Sequence, residues 1–201
     1  MCQNVDFAQF ARFIAHVQAD GCFSPERDTI RYFNKDIVLI NDFRNSVKNC
    51  FGLECWAIYA GSTCLHTGFR NKKIIAKFKQ YSFDSKNWHV PTFVSAGSAD
   101  IIAAYLQAFF DDEGSAIFQK RKWGYDRAVQ MQSINGSGLM QLAELLSKLG
   151  IESNFHGPYK HKYFELKITG KKNLCLFKDK VNFVSKKKRG KLEIAVGTYR
   201  E

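Results

Sequence analysis

The stretch YLQAFFDDEG, at residues 105–114, closes an apolar run in the middle of the chain. Ala104, Ala108 and Asp112 are spaced four apart, so they share one face of the predicted helix, and the two alanines let another helix approach closely. Gly114 predicts the helix end, since glycine readily adopts the left-handed conformation found just past a helix. The three carboxylates before it lie at the negative end of the helix dipole, which disfavours acids by roughly 0.3–1 kcal/mol each. A bound cation is the simplest compensation.

A second stretch of the same form, FIAHVQADG, occupies residues 13–21. It has a small pair four apart, Ala15 and Ala19, then one acid and a glycine. Asp20 and Glu113 are 93 residues apart, about half the chain. If the two helices pack in parallel along their small faces, both acids arrive at the same end. Two adjacent carboxylates repel each other, and a divalent cation relieves that repulsion.

These two stretches resemble the LAGLIDADG motif, and the chain resembles a single-chain, two-repeat LAGLIDADG homing endonuclease. In that family the acid before the final glycine binds the catalytic metal, which here points to Asp20 and Glu113. The resemblance implies that the backbone carbonyls of Ala19 and Asp112 complete the ligand shell. It also implies Mg²⁺ as cofactor, with Mn²⁺ able to substitute and Ca²⁺ binding without supporting cleavage.

The motifs depart from the family pattern at three positions. His16 stands where the family has an apolar residue, Gln18 where it usually has an acid, and Asp112 where it has a small residue. The last departure leaves open whether Asp112 or Glu113 supplies the second ligand.

The remaining sequence supports a duplication. The segment Gly52–Glu54 matches Gly150–Glu152 at an offset of 98, close to the offset of the motif pair. Apolar periodicity predicts an α+β fold of two pseudo-symmetric αββαββα repeats, each with a four-stranded antiparallel sheet. The resemblance implies that the repeats join at the two motif helices and that the sheets form a DNA-binding saddle. We divide the chain into a first repeat at 1–83, a linker at 84–97, a second repeat at 98–183 and a basic tail at 184–201.

Strand phases place polar and basic side chains on the open faces of the two sheets. We expect these residues to contact base edges, because Arg suits the edge of guanine and Gln that of adenine. They are Ser24, Glu26, Arg27, Thr29 and Arg31 in the first half, and Ser115, Gln119, Arg121, Gln130 and Gln132 in the second. A second basic set is expected to contact phosphates; it comprises Arg70, Lys120, Lys122, Arg127, Lys160 and Lys162. An ordinary solvated sheet face is the alternative for each residue taken singly.

The family also places an amide and a basic residue near the end of the second strand of each repeat. Asn34 and Lys35 occupy that place in the first half. In the second half Asn135 matches the amide, and Gly136 stands where the basic residue would be. The resemblance therefore assigns Asn34, Lys35 and Asn135 to the catalytic centre, with Lys35 alternatively a solvated residue at a helix start.

Composition agrees with a nucleic-acid partner. The 201 residues include 30 Lys and Arg against 19 Asp and Glu, a formal net charge of +11. We expect no membrane span and no signal peptide, and hence an intracellular protein of the cytoplasm or an organelle. The six cysteines show no paired CxxC spacing, which predicts reduced thiols. A zinc site at Cys50, Cys55, Cys64 and His66 is the alternative.

The sequence thus predicts a monomeric, Mg²⁺-dependent endonuclease that cuts both strands of a long, asymmetric DNA site across the minor groove. The alternative on the same fold is an intron maturase, with RNA as partner, or a binding protein that does not cut. A general basic RNA-binding protein is the third class. The lysine-rich run at 185–189 is either a solvated tail or a segment that approaches the nucleic-acid backbone.

Overall fold

The computed structural model describes residues 6–160 and 162–199. The first helix begins after Asp6, whose Oδ1 accepts hydrogen bonds from the backbone N–H groups of Ala8 and Gln9 at 3.0 and 3.2 Å. Asn4 is also of a residue type that caps helices, but it lies outside the described residues.

The described chain contains eight helices and eight strands. In the first half they are α1 (Phe7–Asp20), β1 (Gly21–Ser24), β2 (Thr29–Asn34), α2 (Ile37–Phe51), β3 (Tyr59–Ala60), β4 (Leu65–Arg70), α3 (Lys72–Phe78) and α4 (Thr92–Ser95). In the second half they are α5 (Ala99–Glu113), β5 (Gly114–Arg121), β6 (Gly124–Ser133), α6 (Gly136–Lys148), β7 (Asn154–His156), β8 (Phe164–Ile168), α7 (Lys171–Lys180) and α8 (Lys186–Gly197).

The two halves have the same topology, which confirms the predicted duplicated α+β fold. Each half forms a four-stranded antiparallel sheet, in the order β1-β2-β4-β3 in the first and β5-β6-β8-β7 in the second. In β2 the buried Ile30 and Tyr32 face the helices, and in β6 Val129 and Met131 do so. Helices therefore cover one face of each sheet and leave the other open.

The halves meet where α1 packs against α5. Arg12 bonds to Gln107, and one helical turn further His16 bonds to Asp112, so the two helices run in the same direction. Ala108 lies on the contact face of α5, since it precedes Asp112 by four residues, and it is fully buried. The parallel packing places the C-termini of both helices at one end of the interface.

The glycines that end these helices differ from the sequence-based prediction. Gly21 and Gly114 have φ values of −91° and −87°, which are extended and not left-handed. A Cβ at Gly21 would lie 2.4 Å from the carbonyl oxygen of Val17, and one at Gly114 would lie 2.7 Å from that of Phe110. Glycine is needed because each chain turns directly from helix into strand and passes close to the helix's own last turn.

Three segments also differ in detail from the sequence-based prediction. The sequence predicts a strand over 55–60, before the turn at Gly61, but only its last two residues form one, β3. The segment 84–97, expected to be a linker, contains the single turn α4. Within that segment Trp88 is buried, with its ring centroid 4.7 Å from that of Phe109. The lysine-rich run opens α8, a packed helix whose Leu192 and Ala195 are buried.

Replacing Ala108 by Leu is expected to lower the free energy of unfolding by about 1–3 kcal/mol, because added methylene groups strain a filled helix interface. Ala99→Leu, at the exposed start of the same helix, is the matched control and is expected to change the value by less than about 0.5 kcal/mol. Urea unfolding measures both. Equal midpoints for the two variants would contradict the close packing of α1 on α5.

Candidate catalytic site and nucleic-acid interface

Three consecutive carboxylates end α5, and each has a different environment. Asp112 is the central one, and its side chain has no exposed surface. Its Oδ2 lies 2.8 Å from His16 Nδ1, and its Oδ1 accepts hydrogen bonds from Tyr32 Oη at 2.5 Å and Asn34 Nδ2 at 3.2 Å. Of the two acids that the sequence left open as the second ligand, Asp112 is buried in this network and Glu113 is exposed.

His16 is fully buried between two carboxylates. Its Nδ1 faces Asp112, and its Nε2 lies 3.1 Å from Asp42 Oδ2, which also accepts a 2.6 Å hydrogen bond from Arg12. Burial alone would lower the pKa of His16, but the two carboxylates raise it to about 9. The imidazole is therefore protonated at neutral pH and neutralises charge inside the helix interface.

Asp20 ends α1 and is linked to this network through Asn34. The Nδ2 of Asn34 donates to Asp20 Oδ2 at 2.9 Å, while its Oδ1 accepts from the backbone N–H of Asp36 at 3.0 Å. The backbone just after β2 thus holds the Asn34 amide through Asp36. The amide in turn fixes the orientation of the Asp20 carboxylate. The structure thus brings Asn34 beside Asp20, and its part in a catalytic centre stays a prediction.

Burial and neighbouring charges shift the ionisation of both Asp20 and Glu113. Burial, together with the charges of Asp112 and Glu113, raises the pKa of Asp20 to about 7. Although Glu113 keeps contact with solvent, partial desolvation and the charge of Asp112 raise its pKa. Such shifts arise when like charges converge in a partly desolvated place, and they favour binding of a positive charge there.

Lys188, near the start of α8, supplies one positive charge at this place. Its ammonium group donates to the carbonyl oxygens of Phe110, at 3.4 Å, and Asp111. Burial lowers the pKa of Lys188, while the charges of Asp111, Asp112, Asp20 and Glu113 act in the opposite direction. The lysine-rich run at 185–189 predicts a solvated tail or a segment near the nucleic-acid backbone, and nothing in its local pattern indicates that α8 folds back onto the end of α5.

Asp111, the first of the three acids, holds α8 in place. Its two oxygens accept hydrogen bonds from the backbone N–H groups of Val184 at 2.7 Å and Ser185 at 3.0 Å. Burial raises the pKa of Asp111 to about 6, although these two hydrogen bonds act to lower it. Asp111 therefore positions the start of the helix that carries Lys188.

Gln18 has the position in the first motif that Asp111 has in the second, and it likewise holds a backbone segment in place. Its Nε2 donates to the carbonyl oxygens of Ser82 at 3.1 Å and His89 at 2.9 Å, and its Oε1 accepts from Tyr105 Oη at 2.6 Å. Gln18 thus holds the segment that follows the first repeat, as Asp111 holds the segment that follows the second. Neither task was foreseen from sequence.

The other two residues assigned to the catalytic centre lie in different surroundings. Lys35 is exposed and borders the turn at 61–65, and the basic groups that act on Asp20 are Lys188 and His16. Asn135 is buried, donates to the carbonyl oxygen of Trp88 at 2.6 Å and accepts from the N–H of Gly138 at 2.9 Å. Its amide therefore caps α6 and holds the linker.

The donor set at the helix ends suits a hard cation. Within residues 6–160 and 162–199, no group of three or more His, Cys, Asp or Glu side chains is arranged to hold a metal ion. A cation here would have the carboxylates of Asp20 and Glu113, with carbonyl oxygens, water or substrate phosphate for the rest. Mg²⁺ commonly binds in this way, through one or two carboxylates plus waters and phosphates. The described cysteines are free thiols.

The open faces carry most of the residues predicted to contact bases. Cross-strand registers put Thr29 opposite Arg70 and Cys22 opposite Arg31 on the open face of the first sheet. The open face of the second sheet carries a polar row along β5 and β6; it comprises Ser115, Gln119, Arg121, Gln130 and Gln132. Glu165 and Lys167 of β8 extend this row, because they pair with Gln132 and Gln130.

The remaining predicted contacts are placed differently. Ser24 pairs with Thr29 on the open face of the first sheet but is buried. Glu26 and Arg27 are exposed in a short 3₁₀ turn between β1 and β2. Arg127 lies over the rings of Tyr125 and Tyr199, and donates to Thr198 at 2.9 and 3.0 Å, so it fastens the end of α8. The other lysines of the set are exposed: Lys120 in β5, Lys122 at the turn after it, and Lys160 and Lys162 between β7 and β8.

The first sheet also has an aromatic row that sequence analysis did not assign to binding. Phe33, His66 and Tyr59 stack across three strands, with centroid separations of 5.5 Å for both neighbouring pairs. The Arg31 guanidinium lies 5.7 Å from the centroid of Phe33. The first open face is therefore aromatic and basic, whereas the second is polar.

Comparison with known proteins agrees with this architecture. Residues 100–182 match the LAGLIDADG-like domain family. The chain has the two-repeat LAGLIDADG fold: a mesophilic variant of the homing endonuclease I-DmoI superposes with a TM-score of 0.61 at 12% identity, covering 87% of this chain and 96% of that one. The structure of I-DmoI in complex with DNA and Mn gives the same values.

The fold is also that of a second protein. Full-length DUF199/WhiA from Thermatoga maritima superposes with a TM-score of 0.68 at 11% identity, covering 100% of this chain and 63% of the WhiA chain. No curated protein matches the chain. None of the described helices has the length and apolar character needed to span a bilayer.

Stability is expected to depend on the charge of His16. The pKa of His16 is raised from 6.5 to about 9 on folding, so its contribution is fully present below pH 6.5 and is lost as the pH rises through about 9. The loss is on the order of 3 kcal/mol at most. Urea unfolding from pH 6 to 9.5 should show a shallower decline for His16→Gln than for the unmodified protein, with the exposed His156→Gln as control. Parallel curves for all three proteins would contradict a charged His16.

Proposed function

We propose that the protein is a site-specific endonuclease that cuts both strands of double-stranded DNA with the aid of a divalent cation. The observation that carries the proposal is the convergence of Asp20 and Glu113 at one end of two parallel helices, between two sheets with open faces. The raised pKa values of both acids indicate that negative charge is concentrated there. Paired carboxylates that hold a metal against a phosphate are suited to phosphodiester hydrolysis.

Similar structures support DNA as the substrate. I-DmoI, which shares the fold, has been solved in complex with DNA and Mn and in complex with DNA and Ca. In this chain the net charge of +11 favours a polyanion. The two open faces differ in chemistry, so we propose an asymmetric site, with Arg31 and Arg70 on one half and Gln130 and Gln132 on the other.

The residues around the acids would prepare them for this reaction. Asn34 holds the carboxylate of Asp20 in one orientation, and Asp112 holds Asn34 through a 3.2 Å hydrogen bond. His16 supplies the charge that allows Asp112 to be buried. A cation held by Asp20 and Glu113 would supply Lewis-acid stabilisation of phosphate oxygens and activation of water.

Mg²⁺ is the proposed physiological cation, with Mn²⁺ as a substitute and Ca²⁺ binding without cleavage. Carbonyl oxygens of Ala19 and Asp112 are proposed as further ligands. We also propose that the protein acts as a monomer, because the two halves already form the complete pair of helices and sheets, and that it acts inside the cell in intron homing.

A second function on the same fold is nucleic-acid binding without cleavage, including RNA binding by a maturase. Two observations favour it. The WhiA match covers the whole of this chain, so the fold is not confined to proteins named as nucleases. Lys188 already brings a positive charge to the carboxylates, which is a way to stabilise them without a metal.

Cleavage is expected to depend on the two motif acids. A library of duplexes with randomised sites should be cut at one preferred long site with Mg²⁺, and left uncut with Ca²⁺. Asp20→Asn and Glu113→Gln should each lower the cleavage rate by more than about 100-fold, because each removes several kcal/mol of charge stabilisation. Glu144→Gln, at an exposed position on α6, is the matched control. Binding of duplex without cutting under any of these conditions would favour the second function.

Lys188→Met is expected to lower the cleavage rate by roughly 10- to 100-fold, the range for a residue that supports metal ligands. The physical reason is that its ammonium group bonds to the last carbonyls of α5 and acts on both acids. Lys187→Met removes the same charge from an exposed neighbour and should leave the rate within about twofold. Equal rates for the two variants, with unfolding curves to confirm that both fold, would reduce Lys188 to a structural cap of α5.

A further inference from the structure

The tip of the β5–β6 hairpin presents the most exposed tryptophan of the described chain. Arg121 pairs with Gly124, so Lys122 and Trp123 form a two-residue turn. Trp123 is 88% exposed, whereas Trp88 is buried and Trp56 is half-buried. Two-residue turns are the commonest connections of β-hairpins. The indole is therefore displayed at the end of a paired hairpin.

The surroundings of this indole are basic and aromatic. The Nζ of Lys122 lies 5.0 Å from the centroid of the Trp123 ring. Lys120 and Arg121 precede it on the strand, and Tyr125 follows, stacked on Phe118 at 5.1 Å. One acid lies close by: Asp126 forms ion pairs with Arg121 at 3.4 Å and Lys167 at 3.8 Å, and so leaves the tip positively charged.

Positive charge beside an exposed aromatic ring is the combination that binds bases and phosphates together. Lysine and arginine attract the phosphate backbone, and the ring stacks on a base without regard to sequence. In a regular duplex the faces of the bases are hidden by their neighbours. An indole therefore reaches a base face only where a base is unpaired, or where the ring enters between two base pairs as a wedge.

We infer that Trp123 stacks on a nucleobase at the outer end of the bound nucleic acid. The face of that base is either already exposed or becomes exposed when the ring contacts it. β5 starts at Gly114, beside the paired acids, and reaches Arg121 after seven residues. At about 3.4 Å per residue the tip is roughly 24 Å away, which corresponds to roughly 7 base pairs of duplex. The inference rests on the proposed nucleic-acid function but not on cleavage.

Binding of three oligonucleotides, measured without divalent metal by fluorescence anisotropy, tests it. They are a fully paired 30-base-pair duplex, the same duplex with one unpaired base seven pairs from its centre, and the single strand. Trp123→Ala should weaken binding to the single strand and the bulged duplex by about 5- to 150-fold, the range for loss of a base-stacking ring. Trp123→Phe should retain most of the affinity. Met140→Ala, which removes a 50% exposed apolar side chain from α6, is the control and should bind as the unmodified protein does.

The paired duplex distinguishes the two sources of a base face. An equal loss on all three oligonucleotides would assign Trp123 as a wedge that opens a base step, and a loss on the single strand and bulge alone would assign capture of an unpaired base. Either result supports stacking. Unchanged affinity of Trp123→Ala on every oligonucleotide would overturn the inference and leave the proposed function intact. Failure of the unmodified protein to bind any of them would overturn both.

Fluorescence provides a second readout. Iodide should quench the unmodified protein more than Trp123→Phe, and saturating single strand should remove that difference by covering the indole. A difference that persists in the complex would contradict stacking. A blue shift of Trp123 emission with anionic lipid vesicles, without any shift on adding oligonucleotides, would also overturn the inference by showing that the tip inserts into a membrane surface.

Discussion

The structure depends on bringing two helix C-termini, and the acids they carry, to one place. Parallel packing of α1 on α5 through small side chains joins the two halves. The same packing concentrates negative charge at the helix C-termini, where the helix dipoles are also negative. Two buried or half-buried cations from opposite ends of the chain offset this negative charge. His16 neutralises the interior of the interface, and Lys188 neutralises its open end. Only the outermost acids then remain for an external cation.

The two motifs share a structural role at their sixth position that is not evident from their sequences. The side chain at the sixth position, Gln18 in one motif and Asp111 in the other, holds the backbone segment that leaves its own repeat. An amide serves the first segment because it meets carbonyl oxygens, and a carboxylate serves the second because it meets N–H groups. The motif helix is therefore both the contact between repeats and the anchor for the segment after each repeat.

The sequence was sufficient for the fold because duplicated motifs, small-residue spacing and alternating strands are local patterns. It was less informative about the site, where contacts join distant residues. His16 and Asp112 were each recognised as departures from the motif, yet their meaning lies in the 2.8 Å contact between them. Asn34 was singled out by its position in the repeat and lies beside Asp20, whereas Asn135, at the matching position, caps α6. Lys188 gave no signal, since a lysine run looks the same whether solvated or packed.

The place of Lys188 in the chain has a consequence for the order in which the molecule is made. A nascent polypeptide emerges from the ribosome with its amino end first, and domains fold as they emerge. Both motif helices and both sheets are synthesised before residue 188, so the two acids can meet while the ribosome still holds the segment that Asp111 will bind. The two acids can therefore come together before Lys188 is available to them.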